Sequence, residues 1–183
     1  MKTALLIAKG RSAERANAVL EANDDIVSIN DGCKLLPDRL VRYVFFAHAS
    51  VYPLLEPHQH NVEKFVSRSL SDADMQLMPA WMRTKHTMYK DFDCDGDLEA
   101  LTQRVTFGGI MHHHTTPAAI HWLAKYGKYE KLRIVGVDGG RKYADGLAAS
   151  HPGNHDLDLF KQVTKRVAEI CGRIYGLQVE WHS

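Results

Sequence analysis

The side chains in this 183-residue chain best suited to chemistry are its eleven histidines, three of them consecutive at His112, His113 and His114. An imidazole titrates near neutrality, ligates metals and moves protons, so its placement decides its use. Three adjacent histidines cannot converge on one metal from a helix, because neighbours project about 100° apart. His121 pairs only with His114, at seven residues, and no HExxH pattern exists. His113 and His114 are therefore expected to touch a substrate or base rather than zinc. His151 and His155 lie in a long loop, ADGLAASHPGNHD, which follows Gly139-Gly140-Arg141-Lys142-Tyr143. Long loops over a ligand edge supply lids and catalytic groups, so either histidine is a candidate general base. Arg141 and Lys142 beside two glycines form either a phosphate clamp, with Tyr143 as hydroxyl donor, or a surface charge pair.

Other polar residues fall where apolar runs stop. Gly10-Arg11-Ser12 follows the run TALLIA. A glycine there admits close backbone approach to an anion, and a helix N-terminus offers free N–H groups, so a larger side chain at Gly10 is expected to block binding without disturbing the fold. Ser12 is either a ligand contact or a helix N-cap. Asn30 and Asp31, after DDIVSI, either take ribose hydroxyls or close an Asx turn. His48 ends RYVFFA, and Asp138 ends LRIVGV. Thr106, Gly108 and Gly109 in RVTFGGIM supply a hydroxyl and close backbone approach. The alternating carboxylates of DFDCDGD resemble the opening of a calcium loop, but the twelfth position from Asp91 is Thr102 rather than glutamate. A solvated acidic turn is the default there, with Asp93, Asp95 and Asp97 as the alternative ligands for magnesium or manganese. No metal is expected to be required.

Positioning these groups takes strands and helices in alternation. The apolar runs at 3–8, 24–29, 42–47 and 132–137 read as buried strands, and 178–181 as a closing one. Helices are expected over 13–22, 116–126 and 156–175, the last with Leu159, Val163, Val167 and Ile170 on one face. That order predicts a Rossmann-like α/β fold: a mostly parallel sheet flanked by helices, ligands at the carboxyl ends of its strands, in one domain spanning 1–183. Residues 56–101 are polar and read as a variable or lid-like insertion, with any helix in SLSDADMQLMPAWM broken before Pro79.

Composition bounds the partners. With 23 Lys and Arg against 22 Asp and Glu the net charge is +1, which disfavours a large basic face but leaves room for a local patch of Arg141, Lys142, Lys161, Lys165 and Arg166. Cys33, Cys94 and Cys171 are scattered, as reduced thiols of a cytoplasmic protein would be. The amino terminus lacks the longer apolar core of a signal peptide, and no stretch approaches the roughly 20 apolar residues of a membrane span, so no membrane partner is expected.

The stretches RVTFGGIM and KLRIVGVDGGRKYADG, followed by a histidine-containing loop and a long helix, resemble the bacterial sialyltransferases that build lipooligosaccharide and the related pterin diphosphokinase-like (MptE-like) family. The resemblance spans about two-thirds of the chain and omits most of 56–101. It implies a cytidine nucleotide at Gly10, Ser12 and Asn30, with Thr106 and Gly108 in a further nucleotide turn. It also implies Tyr143 at the leaving phosphate, and His151 or His155 as general base. The expected activity is transfer of a sugar from a CMP- or UDP-linked donor to an acceptor hydroxyl, on a saccharide or a hydroxymethylated DNA base. Alternatives are diphosphokinase activity with ATP, or nucleotide binding without catalysis.

Overall fold

An apolar run with no polar face can be a strand only where both sides of the sheet are covered. The computed structural model describes residues 1–68, 70–89, 115–139, 143–147 and 157–183. Among them, β1 (Thr3–Ile7), β2 (Asp24–Ile29), β3 (Val41–Phe46), β4 (Val62–Arg68), β5 (His86–Tyr89), β6 (Lys131–Val135) and β7 (Gln178–His182) form one sheet. Its order is β5-β4-β3-β2-β1-β6-β7, and every pairing is parallel. This is the α/β, Rossmann-like architecture expected from the strand and helix alternation.

The helices are α1 (Ala16–Val19), α2 (Tyr52–Leu55), α3 (Asp72–Gln76), α4 (Ala80–Arg83), α5 (Thr115–Lys125) and α6 (Leu157–Tyr175). Successive residues of a strand face opposite sides, and β1 shows the consequence. Leu5 and Ile7 pack with Ala16, Leu55 and Met82 in the layer of α1 to α4. Ala4, Leu6 and Ala8 pack with Ile120 and Leu123 of α5 and with Val163, Val167 and Ile170 of α6. Each buried leucine, isoleucine, valine or methionine among them contributes roughly 1.5–3 kcal/mol relative to exposure. No helix among the described residues is long and apolar enough to cross a membrane.

Two expectations are corrected. The helix expected over 13–22 is a 3-10 turn at Arg11–Arg15 followed by one α-turn, ended where Leu20 becomes extended. Ala16 is buried and Val19 and Leu20 still pack on the core, so the apolar face was read correctly and the length was not. Within 56–101, read as a lid-like insertion, residues 62–89 instead supply β4, α3, α4 and β5 to the sheet and its cover. β4 escaped notice because VEKFVSR mixes charge with apolar residues. Glu63 pairs with Arg42 of the neighbouring β3, while Val62, Phe65 and Val66 go into the core. The break at Pro79 falls where proline chemistry puts it, between α3, capped by the Ser71 hydroxyl accepting from Asp74 N–H at 3.1 Å, and α4.

Candidate functional site

The strand order opens one crevice. β1 leads through α1 on one face to β2, whereas β6, its neighbour, leads through α6 on the other face to β7. Connections that leave adjacent strands toward opposite faces part at the carboxyl ends, where open α/β sheets hold ligands. Lys9 to Ser12 therefore lie against Gly136 to Gly139.

These two loops are stitched together. Gly10 N–H donates to the Gly136 carbonyl at 2.7 Å. Ser12 N–H donates to Asp138 Oδ2 at 2.5 Å, and the Ser12 hydroxyl donates to Asp138 Oδ1. The same hydroxyl oxygen accepts from Gly136 N–H at 2.8 Å. Ser12 is thus not an N-cap: the cap position of the 3-10 turn is Gly10, and no side chain caps it. Ser12 and Asp138 latch the β1 and β6 ends to each other.

Glycine is demanded here by crowding. A Cβ on Gly10 would lie 2.6 Å from the Gly136 carbonyl oxygen, and one on Gly136 would lie 2.7 Å from the Ala8 backbone. Gly136 also has φ +80°, a conformation that side-chain-bearing residues rarely adopt. The expectation that Gly10 accepts a larger residue without disturbing the fold is therefore corrected, because the atom it meets is backbone.

The neighbouring strand ends join the same cluster. Asp31, in the 3-10 turn Asn30–Leu35 after β2, is fully buried. Lys9 Nζ lies 3.0 Å from one of its oxygens and Lys34 Nζ 3.2 Å from the other. The carboxylate read as a ribose acceptor is thus engaged by two lysines. Asn30 is buried and holds φ +52°, which asparagine tolerates better than most residues. Beside it, burial and the nearby Asp31 carboxylate push the Cys33 thiol up to about 12, so it stays protonated and unreactive.

Tyr143 returns to this edge. It bridges Gly10 in an isolated antiparallel pair, and Ala144 N–H donates to the Lys9 carbonyl at 2.9 Å. Lys9 Nζ lies 5.2 Å from the Tyr143 ring centroid. Burial raises the pKa of the Tyr143 phenol, which keeps it a proton donor. Arg11 is exposed at the start of the 3-10 turn after Gly10. His48 is exposed at the carboxyl end of β3, on the same edge but two strands from β1.

Gly10, Arg11, Ser12, Asp138 and Tyr143 are therefore brought together, with Asn30 and Asp31 adjoining through Lys9. Thr106, Gly108, Gly109, His113, His114, Arg141, Lys142, His151, His155 and the alternative metal ligands Asp93, Asp95 and Asp97 lie outside the described residues. Among the described residues no three His, Cys, Asp or Glu side chains gather as a metal site would need. Two contributors were missed in the sequence, Lys9 and Gly136. Both carry a signal in retrospect: a lysine directly after a buried strand, and a lone glycine inside the run LRIVGV, where close backbone approach is the usual cause.

No protein-family model and no curated protein sequence matches the chain. Solved structures do match it. The sialyltransferase CstII from Campylobacter jejuni, in complex with the substrate analogue cytidine-5'-monophosphate, aligns with a TM-score of 0.59 at 14% identity, covering 100% of this chain and 80% of that one. A tyrosine-to-phenylalanine variant of the sialyltransferase Cst-II in complex with CMP aligns with a TM-score of 0.57 at 14% identity, covering 98% and 80%. At this identity the likeness is one of fold: the chain shares its parallel, helix-flanked sheet with a sialyltransferase.

Proposed function

We propose that the chain is a glycosyltransferase that holds a nucleotide-linked sugar at the β1–β6 crevice and passes the sugar to an acceptor hydroxyl. The observation that carries this reading is the latched switch point, where Gly10–Ser12, Asp138 and Tyr143 meet. It occurs in a fold that CstII shares and for which CMP complexes are solved. A CMP-linked donor is favoured over a UDP-linked one on that likeness. The acceptor, a saccharide or a hydroxymethylated DNA base, is the open choice of the reading.

In the proposed reaction the acceptor oxygen attacks the anomeric carbon while a base in the loop after Tyr143, His151 or His155, removes its proton. The bond from the anomeric carbon to the phosphate oxygen breaks, and the nucleotide leaves with the electron pair. Tyr143, kept protonated by burial, donates a hydrogen bond to that phosphate, and Arg141 and Lys142 add positive charge. Fixed cations then take the part that a divalent metal plays in other transferases.

Titration calorimetry with CMP, UMP and AMP, followed by chromatography for nucleotide released from CMP- and UDP-sugars, tests the reading. CMP is expected to bind, and release is expected to persist in EDTA. A chain that binds none of these nucleotides below about 1 mM overturns it. Loss of release in EDTA, restored by magnesium or manganese, overturns the metal-independent form.

A further inference from the structure

The 3-10 turn Arg11–Arg15, with Gly10 before it, grips the chain that follows β6 at three points, each two residues further along the turn. Gly10 bonds the Gly136 carbonyl and bridges Tyr143, and the Ser12 hydroxyl and N–H hold Asp138. Lys161 of α6 holds the same stretch from the other layer, its ammonium donating to the Asp138 carbonyl at 2.8 Å. The third point is Glu14, whose Oε1 accepts from the Asp145 N–H at 3.1 Å. The reaction proposed above makes no use of Glu14.

Asp145 lies on a detour. α6 covers one face of the sheet, but before the chain reaches it Ala144 is buried, and Leu147 packed, in the core of the opposite layer, that of α1 to α4. The same detour carries Tyr143 to Gly10, and the pairing there lasts one residue, because the opposing chain turns away at Arg11. Burial of Ala144 and Leu147 holds the segment down but has no direction. Direction comes from hydrogen bonds. Ala144 N–H donates to the Lys9 carbonyl at 2.9 Å, and Leu147 N–H donates to the Ala144 carbonyl at 3.2 Å, closing the turn at Gly146. Asp145 N–H, between them, goes to Glu14, which among the described residues supplies the only side chain bonded to the backbone of 143–147. A Cβ on Gly146 would meet none of the described residues within 4 Å, so packing at the tip of the turn does not take over that task.

We propose that Glu14 is a positioning residue for sugar transfer: by accepting from Asp145 it sets the angle at which the Tyr143 phenol meets the leaving phosphate. The inference rests on the glycosyltransferase reading above and adds to it a residue that acts through Tyr143. Negative charge on the phosphate grows as its bond to the anomeric carbon breaks, so a well-aimed phenol gains more in the transition state than in the bound donor. Loss of the aim therefore lowers kcat and leaves KM nearly unchanged.

The test measures nucleotide release from the CMP- or UDP-sugar that wild type turns over, in Glu14→Ala, Glu14→Gln, Tyr143→Phe and the Glu14→Ala/Tyr143→Phe double variant. Amide exchange at Ala144 and Asp145, followed by NMR, reports the segment independently of turnover. In Glu14→Ala the Asp145 amide should exchange at least about 3-fold faster. Its kcat should fall about 3- to 10-fold, as loss of one hydrogen bond would give, with KM within about 2-fold of wild type. Glu14→Gln, which offers the same N–H an amide oxygen, should recover most of both. In the Tyr143→Phe background Glu14→Ala should cost nothing further, because the group it aims is gone. A Glu14→Ala variant with wild-type kcat, with unchanged exchange at Asp145, or with an equal loss in the Tyr143→Phe background overturns the positioning role while the glycosyltransferase reading stands. A wild-type chain that turns over none of these donors overturns both.

Discussion

Replacing Ser12 by alanine separates a latch from a ligand contact. The substitution removes one hydroxyl and, with it, two interactions across the β1–β6 junction: its donation to the Asp138 carboxylate and its acceptance from Gly136 N–H. A hydrogen bond to a charged group contributes about 1.5–3 kcal/mol, and a buried N–H left without an acceptor costs about 1–3 kcal/mol. Gly136 is buried, but Ser12 and Asp138 are only partly so, and water can recover some of the carboxylate's loss. The expected destabilisation is therefore about 2–4 kcal/mol, or roughly 5–15 °C in Tm for a domain of this size. Urea unfolding followed by tryptophan fluorescence measures it: the midpoint should fall with the slope unchanged. The same variant is then titrated with CMP under native conditions. An alanine variant whose stability stays within about 0.5 kcal/mol of wild type refutes the latch, since ordinary surface changes fall in that range. If that stable variant has also lost CMP, the hydroxyl serves the ligand directly.

The remaining predictions concern the crevice, the pH response and the base. Gly10→Ala should cost about 1–3 kcal/mol by urea unfolding, because its Cβ meets the Gly136 carbonyl oxygen, a backbone atom that cannot rotate away; a variant as stable as wild type contradicts the close crossing of the two loops. Burial lowers the pKa of His86, whose Nε2 lies 2.7 Å from the Ser67 hydroxyl. The folded chain thus binds this proton less readily than the unfolded one. Its contribution is fully present above about pH 6.5 and is lost as pH falls through the lowered folded value. Urea midpoints from pH 7 to 5 should therefore fall more steeply in wild type than in His86→Gln, and equal slopes would count against the burial effect. His151→Ala or His155→Ala should lower turnover at saturating donor by about 10²- to 10⁴-fold. If both retain near-normal rates while His113→Ala or His114→Ala is inactive, the base is not in the loop.

Local physics made several elements legible in the amino-acid sequence by itself. TALLIA and LRIVGV have no polar face, so they had to be strands covered on both sides, and β1 and β6 are interior strands with a partner on each side. Apolar spacing along 157–175 and the arrest at Pro79 likewise depend only on residues a few positions apart. β4 and β5 were not legible, because β4 mixes charged with apolar residues and β5 is only four residues long with polar residues among them. Strand order was beyond reach too, since it depends on where each crossover packs rather than on the period of any segment. That order sets β6 beside β1 and so brings Asp138 to Ser12, 126 positions away in the chain. Gly10, Ser12, Asp31 and Asp138 could be seen in the sequence as polar or small groups at strand ends, but a donor or acceptor looks the same there whether it meets a ligand or another residue. Only the tertiary structure showed that Ser12 and Asp138 satisfy each other, that Asp31 is enclosed by Lys9 and Lys34, and that Lys161 turns toward the crevice, because such partners are chosen by proximity across the sheet.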